Sequence, residues 1–248
     1  MQQEQNERTI PQSTRKAKLY GVGVGPGDPS LITLRAVEIL QGMQVIAIPK
    51  SKMERESVAW EIAQAHCPSG VRILELEMPM TADKEILQAA WHQAAVKIKA
   101  ELDLGHSVAF LTLGDPSLYS TYSYLLAILK SQLEPDQIET IPGITAMSAA
   151  AARVNWPLAI GDDPLIVLPG IEGLEEYEQY PNLVLMKVSR NLPDVLNHIQ
   201  KTGAQAVLAT RVSQTGEEIR LLSPGEVIEK VDYLSLVLYK KDRSEDLG

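Results

Sequence analysis

Three features of the sequence predict an α/β fold built as two α/β domains. From Lys18 onward, short apolar runs rich in β-branched residues alternate with stretches of helical periodicity, the order expected of βαβ units. A chain of 248 residues, at roughly 150 residues per domain, makes one large or two small domains. In the second half, strand-like runs outnumber helical ones, which favours a mixed sheet there over a purely parallel one.

The elements follow in order. Residues 1–17 carry Gln, Asn, Glu, Arg and Lys with almost no apolar content, so burial cannot offset the entropy of ordering them, and a disordered arm is expected. An N-terminal α/β domain then spans 18–135. Its β-branched apolar runs give strands at 19–24, 45–48, 71–76 and 107–113, and its helical spacing gives helices at 29–41, 57–66, 84–104 and 120–131. The C-terminal α/β domain spans 136–248. It opens with a strand at 138–141 and an alanine-rich helix at 145–153, and continues with strands at 165–168, 183–188, 206–210, 219–223 and 233–239. One convincing helix, 192–201, lies among them. The domain junction is expected within 130–143.

Composition removes several classes of function. Lys and Arg total 23 against 32 Asp and Glu, a net charge of −9. A protein that displaces counterions from a phosphate backbone needs the opposite balance, so nucleic acid is not an expected partner. The longest stretches without formal charge, such as 116–129, are too short for a bilayer and rich in hydroxyls, so no membrane partner is expected. One cysteine, Cys67, forms no internal disulfide, and residues 1–15 contain no apolar signal core, which together predict a cytoplasmic protein. The histidines at 66, 92, 106 and 198 show no metal-ligand spacing, so no metal site is expected.

The motifs lie where strands end. The first strand runs into Gly21-Val22-Gly23-Val24-Gly25-Pro26-Gly27-Asp28-Pro29. Neither frame of it completes G-x-G-x-x-G, because the sixth position is Pro26 or Asp28. The second strand ends in Pro49-Lys50 instead of an acid for a ribose. No Gly-Lys pair exists for a phosphate loop, and no G-x-S-x-G elbow exists for acyl hydrolysis. Asp28 with Pro29 suits a helix start, but four glycines in seven residues exceed what a turn needs and predict a backbone that faces a ligand. The fourth strand ends in Gly114-Asp115-Pro116, where open α/β sheets hold ligands. Asp115 there serves either a ligand amine or hydroxyl, or the cap of the next helix. Six hydroxyl residues follow, Tyr119-Ser120-Thr121-Tyr122-Ser123-Tyr124, and Pro142-Gly143-Ile144-Thr145-Ala146 opens the alanine-rich helix with small residues.

The glycine loop with Leu31-Ile32-Thr33-Leu34-Arg35-Ala36, then Gly114-Asp115-Pro116 and Pro142-Gly143-Ile144-Thr145-Ala146, resembles the tetrapyrrole methylase family in order and spacing. Asn155-Trp156-Pro157-Leu158, Leu185-Met186-Lys187 and Ala209-Thr210-Arg211-Val212-Ser213-Gln214 extend the resemblance, which covers 18–241. It implies two α/β domains with a cofactor cleft between them, transfer of a methyl group from S-adenosylmethionine to a ring carbon, and a homodimer. Cofactor contacts carried over from the family are Pro26, Gly114, Asp115, Leu118, Thr145, Ala146, Met186 and Ala209. Leu113 and Ala209 depart from a frequent glycine. The run from Gly114 to Tyr122 is most similar to members that methylate C20 of precorrin-2 or its cobalt form. Methylation of another ring carbon, a diphthine synthase-like activity, and a non-catalytic module that binds the cofactor or a tetrapyrrole are the alternatives.

An electron-rich meso carbon attacks a sulfonium methyl without a strong base, so alignment and exclusion of water are the expected tasks, and no catalytic base is assigned. Hydroxyls of Tyr119, Ser120 or Thr121 are the candidates for relaying the proton lost afterwards. The tetrapyrrole substrate is a polycarboxylate and the chain is acidic, so a local positive patch is needed. Arg35, Arg153, Arg190 and Arg211 are the candidates, because a guanidinium pairs with a carboxylate bidentately.

Overall fold

The computed structural model describes residues 16–50, 57–223, 225–228 and 230–241. In the first half the elements are β1 (Leu19–Gly23), α1 (Leu34–Gln41), β2 (Val45–Lys50), α2 (Val58–Ala63), β3 (Arg72–Glu77), α3 (Lys84–Asp103), β4 (Val108–Thr112), α4 (Tyr122–Leu129) and β5 (Ile138–Ile141). The five strands pair in parallel in the order β3-β2-β4-β1-β5. Side chains alternate across the sheet. Val45, Ala47, Val108 and Phe110 pack with Ala95 and Ile98 of α3 and Leu125 and Leu129 of α4. Ile46, Ile48, Ala109 and Leu111 pack with Ile39 and Leu40 of α1 and Ile62 of α2. Helices on both faces bury the central strand β4 completely, which is why it reads Val-Ala-Phe-Leu without alternation before Thr112, whereas the edge strand β3 alternates with exposed charged residues. Each fully buried leucine or phenylalanine stabilises the fold by about 1.5–3 kcal/mol before entropy is counted.

In the second half come α5 (Ala146–Arg153), β6 (Leu165–Leu168), β7 (Asn182–Met186), α6 (Leu192–Thr202), β8 (Gln205–Thr210), β9 (Glu218–Leu221) and β10 (Ser235–Lys240). Their order is β6-β7-β10-β8-β9, with β6 and β7 parallel and the remaining pairs antiparallel, the mixed sheet that the sequence predicts. α6 presents Leu192, Val195 and Ile199 to one face of this sheet and stops at Gly203, whose φ of 66° lets the chain turn back. α5 covers the other face with Ala149, Ala150 and Ala151.

Several sequence expectations need correction. A boundary at 135/136 assigns β5 to the second domain, but Leu19 to Val22 of β1 pair with Ile138 to Ile141, so β5 belongs to the first sheet. The chain crosses between halves at Pro142 to Thr145, because α5 is the first element to pack on the second sheet. Of the expected arm, 1–15 lie outside the described residues. Ala17 is not part of any arm, because it is buried in the first core and its carbonyl accepts from Gln137 Nε2 at 3.1 Å. The helix expected at 29–41 is split into a 3₁₀ turn, Pro29–Leu31, and α1. Thr33 takes an extended conformation and its hydroxyl accepts from the Ala36 amide at 3.2 Å, starting a new helix where periodicity alone shows a continuous one. α4 starts at Tyr122 instead of 120, because Tyr119 has a φ of 50° and Thr121 is the N-cap.

The placement of the helices fixes where a ligand can bind. The connection after β1 leads to α1 on one face, and the connection after β4 leads to α4 on the other. Neighbouring strands whose connections diverge leave a crevice at their carboxyl ends, the switch point of an open sheet.

Candidate functional site

The crevice is held open by backbone contact. Beyond the sheet, β1 and β4 continue as a bridge in which the Gly114 amide donates to the Gly25 carbonyl at 2.7 Å and the Gly25 amide to the Gly114 carbonyl at 3.3 Å. A Cβ on Gly143 would lie 2.1 Å from the Gly114 carbonyl oxygen, and one on Gly23 would lie 2.6 Å from the same atom. The ends of β1 and β4 and the segment after β5 therefore meet backbone to backbone. This revises the ligand-facing reading of the glycine run. Gly21 makes room for the Tyr122 ring, whose nearest atom would be 2.2 Å from a Cβ, and Gly27 for Ser213 and Gln214. Of that run, Pro26 is the residue that lines the cavity described next.

A cavity of about 220 Å³ lies between the halves. Leu113, Gly114, Asp115, Leu118 and Tyr119 border it from the end of β4, and Thr145 and Ala146 from the start of α5. Met186 and Lys187 at the end of β7, Val212 and Gln214 after β8, and Tyr233 to Leu236 at the start of β10 complete it. These second-half segments share one sheet edge, since Leu236 is paired with both Met186 and Ala209.

Seven of the eight expected cofactor contacts thus come together: Pro26, Gly114, Asp115, Leu118, Thr145, Ala146 and Met186. Ala209 does not line the cavity, because it is fully buried in the core shared with α5. Asp115 does not cap α4, and both of its carboxylate oxygens are bonded within the cavity wall. One carboxylate oxygen accepts from the Ser117 amide at 2.8 Å and from the Ser117 hydroxyl, and the other accepts from the Gly143 amide at 2.9 Å. Burial would raise its pKa, but donation by Ser117 and Gly143 outweighs that and holds the carboxyl below its ordinary value. Thr145 caps α5, accepting from the Ser148 amide at 3.3 Å.

The hydroxyl run divides. Tyr119 lines the cavity, is 44% exposed, and donates to the Val167 carbonyl of β6 at 2.8 Å, which joins the halves. Ser120 is buried; its hydroxyl bonds Thr112 Oγ1 at 2.9 Å and accepts from the Tyr122 amide at 3.1 Å. Thr121 stands at the N-cap without a side-chain capping bond. Ser120 and Thr121 are outside the lining. So are the four candidate arginines. Arg35 pairs with Glu139 at 2.7 Å and Glu38 at 3.2 Å, Arg153 with Glu217 at 3.2 Å, and Arg211 with Asp232 at 3.2 Å, while Arg190 is exposed.

Lys187, Gln214 and Tyr233 line the cavity although the sequence does not nominate them. Lys187 and Gln214 belong to motifs quoted for the resemblance, which is the signal that could have found them; Tyr233 carries none. Gln214 donates from Nε2 to the Pro26 carbonyl at 2.8 Å, while its Oε1 is withdrawn from solvent without a partner among the described residues. Among those residues no group of three or more His, Cys, Asp or Glu could hold a metal ion, and no helix is long and apolar enough to cross a membrane. Burial pushes the Cys67 thiol up to about 11, which keeps it protonated and a poor nucleophile near neutrality. The site therefore offers turn backbone, apolar walls and a few polar anchors, the character of a pocket that orients a small molecule.

Fold and site together define a two-lobed α/β protein with a ligand cleft between two sheets. The chain belongs to the tetrapyrrole (corrin/porphyrin) methylases, whose family model matches residues 18–227. It is 37% identical over 228 residues to a probable cobalt-precorrin-2 C(20)-methyltransferase of Methanocaldococcus jannaschii, covering 90% of this chain and 96% of that one. A cobalt-precorrin-2 C(20)-methyltransferase of Salmonella typhimurium is 32% identical over 90% of this chain and 96% of its own length. A precorrin-2 C(20)-methyltransferase of a Sinorhizobium species is 33% identical over 91% and 97%. Solved structures share the fold. A cobalt precorrin-4 methyltransferase superposes with a TM-score of 0.71 at 20% identity, covering 94% of this chain and 98% of that one. A uroporphyrin-III C-methyltransferase of Thermus thermophilus, complexed with S-adenosylhomocysteine, does so with 0.64 at 20% identity, over 91% and 98%.

Proposed function

We propose that this protein is an S-adenosylmethionine-dependent methyltransferase that methylates C20 of precorrin-2, or of its cobalt form, in cobalamin biosynthesis. The observation that carries the reading is end-to-end similarity, above 30% identity over nine-tenths or more of both chains, to three relatives that bear this activity in their names. The cavity supports it, because seven of the positions matched to the family's cofactor contacts line one cleft.

S-adenosylmethionine supplies an electrophilic methyl group on a sulfonium sulfur. Pro26, Gly114, Asp115, Leu118, Thr145, Ala146 and Met186 would hold it. The orphaned Gln214 Oε1 fits that assignment, since a buried acceptor without a partner calls for an N–H donor from a ligand. Asp115 acts by fixing the Ser117 turn to Gly143, so that the walls from β4 and α5 keep their spacing. Tyr119 and Gln214 tie the halves together at the cavity, which limits the entry of water and holds reacting groups in line. The reading carries with it a cytoplasmic homodimer, to be checked by light scattering for about twice the 27.2 kDa of one chain.

The test incubates the protein anaerobically with methyl-labelled S-adenosylmethionine and, side by side, metal-free and cobalt-loaded precorrin-2. Mass spectrometry and NMR should show one added methyl, at C20, with one or both rings. A methyl elsewhere on the ring overturns the C20 assignment. Binding of S-adenosylhomocysteine without turnover of either ring points instead to a non-catalytic module.

A further inference from the structure

Lys187 combines three properties found together nowhere else in the cavity wall. It alone among the described lining residues carries a positive charge, and the acid of that wall, Asp115, is committed to Ser117 and Gly143. Lys187 makes no ion pair among the described residues, whereas Arg35, Arg153 and Arg211 are each paired with a carboxylate. It also has left-handed backbone, with φ 57° and ψ 37°. A lysine in that conformation is strained unless its surroundings impose it, and such strain gathers at ligand sites. Here the neighbours impose it: Met186 is paired in the sheet with Leu236, and Val188 is buried in the second core. A positive φ at a residue other than glycine recurs around the cavity, at Tyr119 in its wall and at Arg211 and Ser213 on either side of Val212; Asn155 is the remaining non-glycine example among the described residues.

An unpaired ammonium at the rim of an apolar cleft, in a chain of net charge −9, draws anionic groups to one point. We propose that Lys187 is the carboxylate-recognition residue of this cavity, its Nζ pairing with a carboxylate of a bound ligand. The proposal rests on the functional reading above, under which two ligands carry such a group: the amino-acid end of S-adenosylmethionine and the acidic side chains of the ring. It replaces the four arginines as the positive anchor inside the cleft.

The test compares wild-type protein with Lys187→Met and Lys187→Arg, measuring S-adenosylhomocysteine affinity by calorimetry and the KM for precorrin-2 or its cobalt form. Lys187 is exposed, so melting temperatures should match the wild type. If the ring is the partner, Lys187→Met raises its KM about tenfold to a hundredfold and leaves S-adenosylhomocysteine affinity unchanged. If the co-substrate is the partner, the same loss appears in S-adenosylhomocysteine affinity. Lys187→Arg restores much of either, and added salt weakens the wild type more than Lys187→Met. Wild-type salt dependence supplies the same readout should the Met variant not fold. Normal affinity for both ligands in Lys187→Met, with an active wild type, overturns the proposal and leaves the functional reading standing. A wild type that neither binds S-adenosylhomocysteine nor methylates a ring overturns both.

Discussion

Asp115 joins two segments of the cavity wall through one side chain. Asp115→Ala leaves the Gly143 amide without its acceptor in a half-buried turn, so urea denaturation should report a loss of about 1–3 kcal/mol, with S-adenosylhomocysteine binding weakened as well. Full retention of stability would show that the bond to the Gly143 amide is dispensable to the fold. Its folded-state pKa lies below the ordinary 3.8. The stability it contributes is therefore present above that value and is lost as pH falls through the folded value. The neighbouring hydroxyls should separate in the same kind of experiment. Ser120→Ala removes a cap on the Tyr122 amide and a buried bond to Thr112, costing about 0.5–2 kcal/mol while turnover follows the folded fraction. Tyr119→Phe removes a bond between the halves at the cavity wall, so turnover should fall beyond the change in folded fraction. Equal behaviour of the two variants would assign the whole run to structure.

Between elements, the glycines act through contact. At Gly21 the obstacle to a Cβ is the buried Tyr122 ring of α4, a side chain whose displacement repacks the first core; at Gly143 it is the Gly114 carbonyl and the backbone of Gly23, which cannot shift without moving β1 or β4. Gly21→Ala should therefore cost about 1–3 kcal/mol by overpacking, visible in thermal melts with a native-like circular dichroism spectrum. Gly143→Ala should cost more and should also abolish S-adenosylhomocysteine binding, because it forces apart the segments that frame the cavity. A Gly143→Ala variant with normal affinity would show that the crevice tolerates about an ångström of separation. Helix starts obey the same local rules: α1 and α5 begin where Thr33 and Thr145 accept an amide hydrogen three residues on.

At the scale of the whole molecule, the second half carries a pH dependence through His198. It is buried on α6, its Nδ1 lies 3.7 Å from Glu178 and its Nε2 has no partner among the described residues. Burial pulls its pKa below 6.5, although Glu178 opposes the change. The unfolded chain takes up a proton near 6.5 that the folded chain resists, so stability falls as pH drops from about 7.5 through that value. His198→Leu should flatten the melting temperature between about pH 7.5 and about pH 5.5. An unchanged slope would place the acid sensitivity elsewhere.

Much of this architecture was legible in the residues themselves. Alternation of β-branched runs with helical spacing determined the α/β class, the mixed second sheet and most strand positions, because period and propensity act over a few neighbours. The motifs at Gly114-Asp115 and Thr145-Ala146, with the others that carry the resemblance, pointed to the family and to the wall segments at the end of β4 and the start of α5, because strand ends and helix starts leave polar backbone free wherever they occur. Three matters rested on contacts between residues far apart in the chain. β5 belongs to the first sheet through its pairing with β1, not through anything in its own four residues. The glycines of the first loop answer to Tyr122, Gly114, Gly143 and Gln214, partners that lie about 90 to about 190 positions away and that no local pattern names. The cationic residue in the cavity wall is Lys187 and none of the four arginines, because Arg35, Arg153 and Arg211 met their carboxylates only when the chain folded, while the turn after β7 placed Lys187 at the cavity without an ion pair among the described residues.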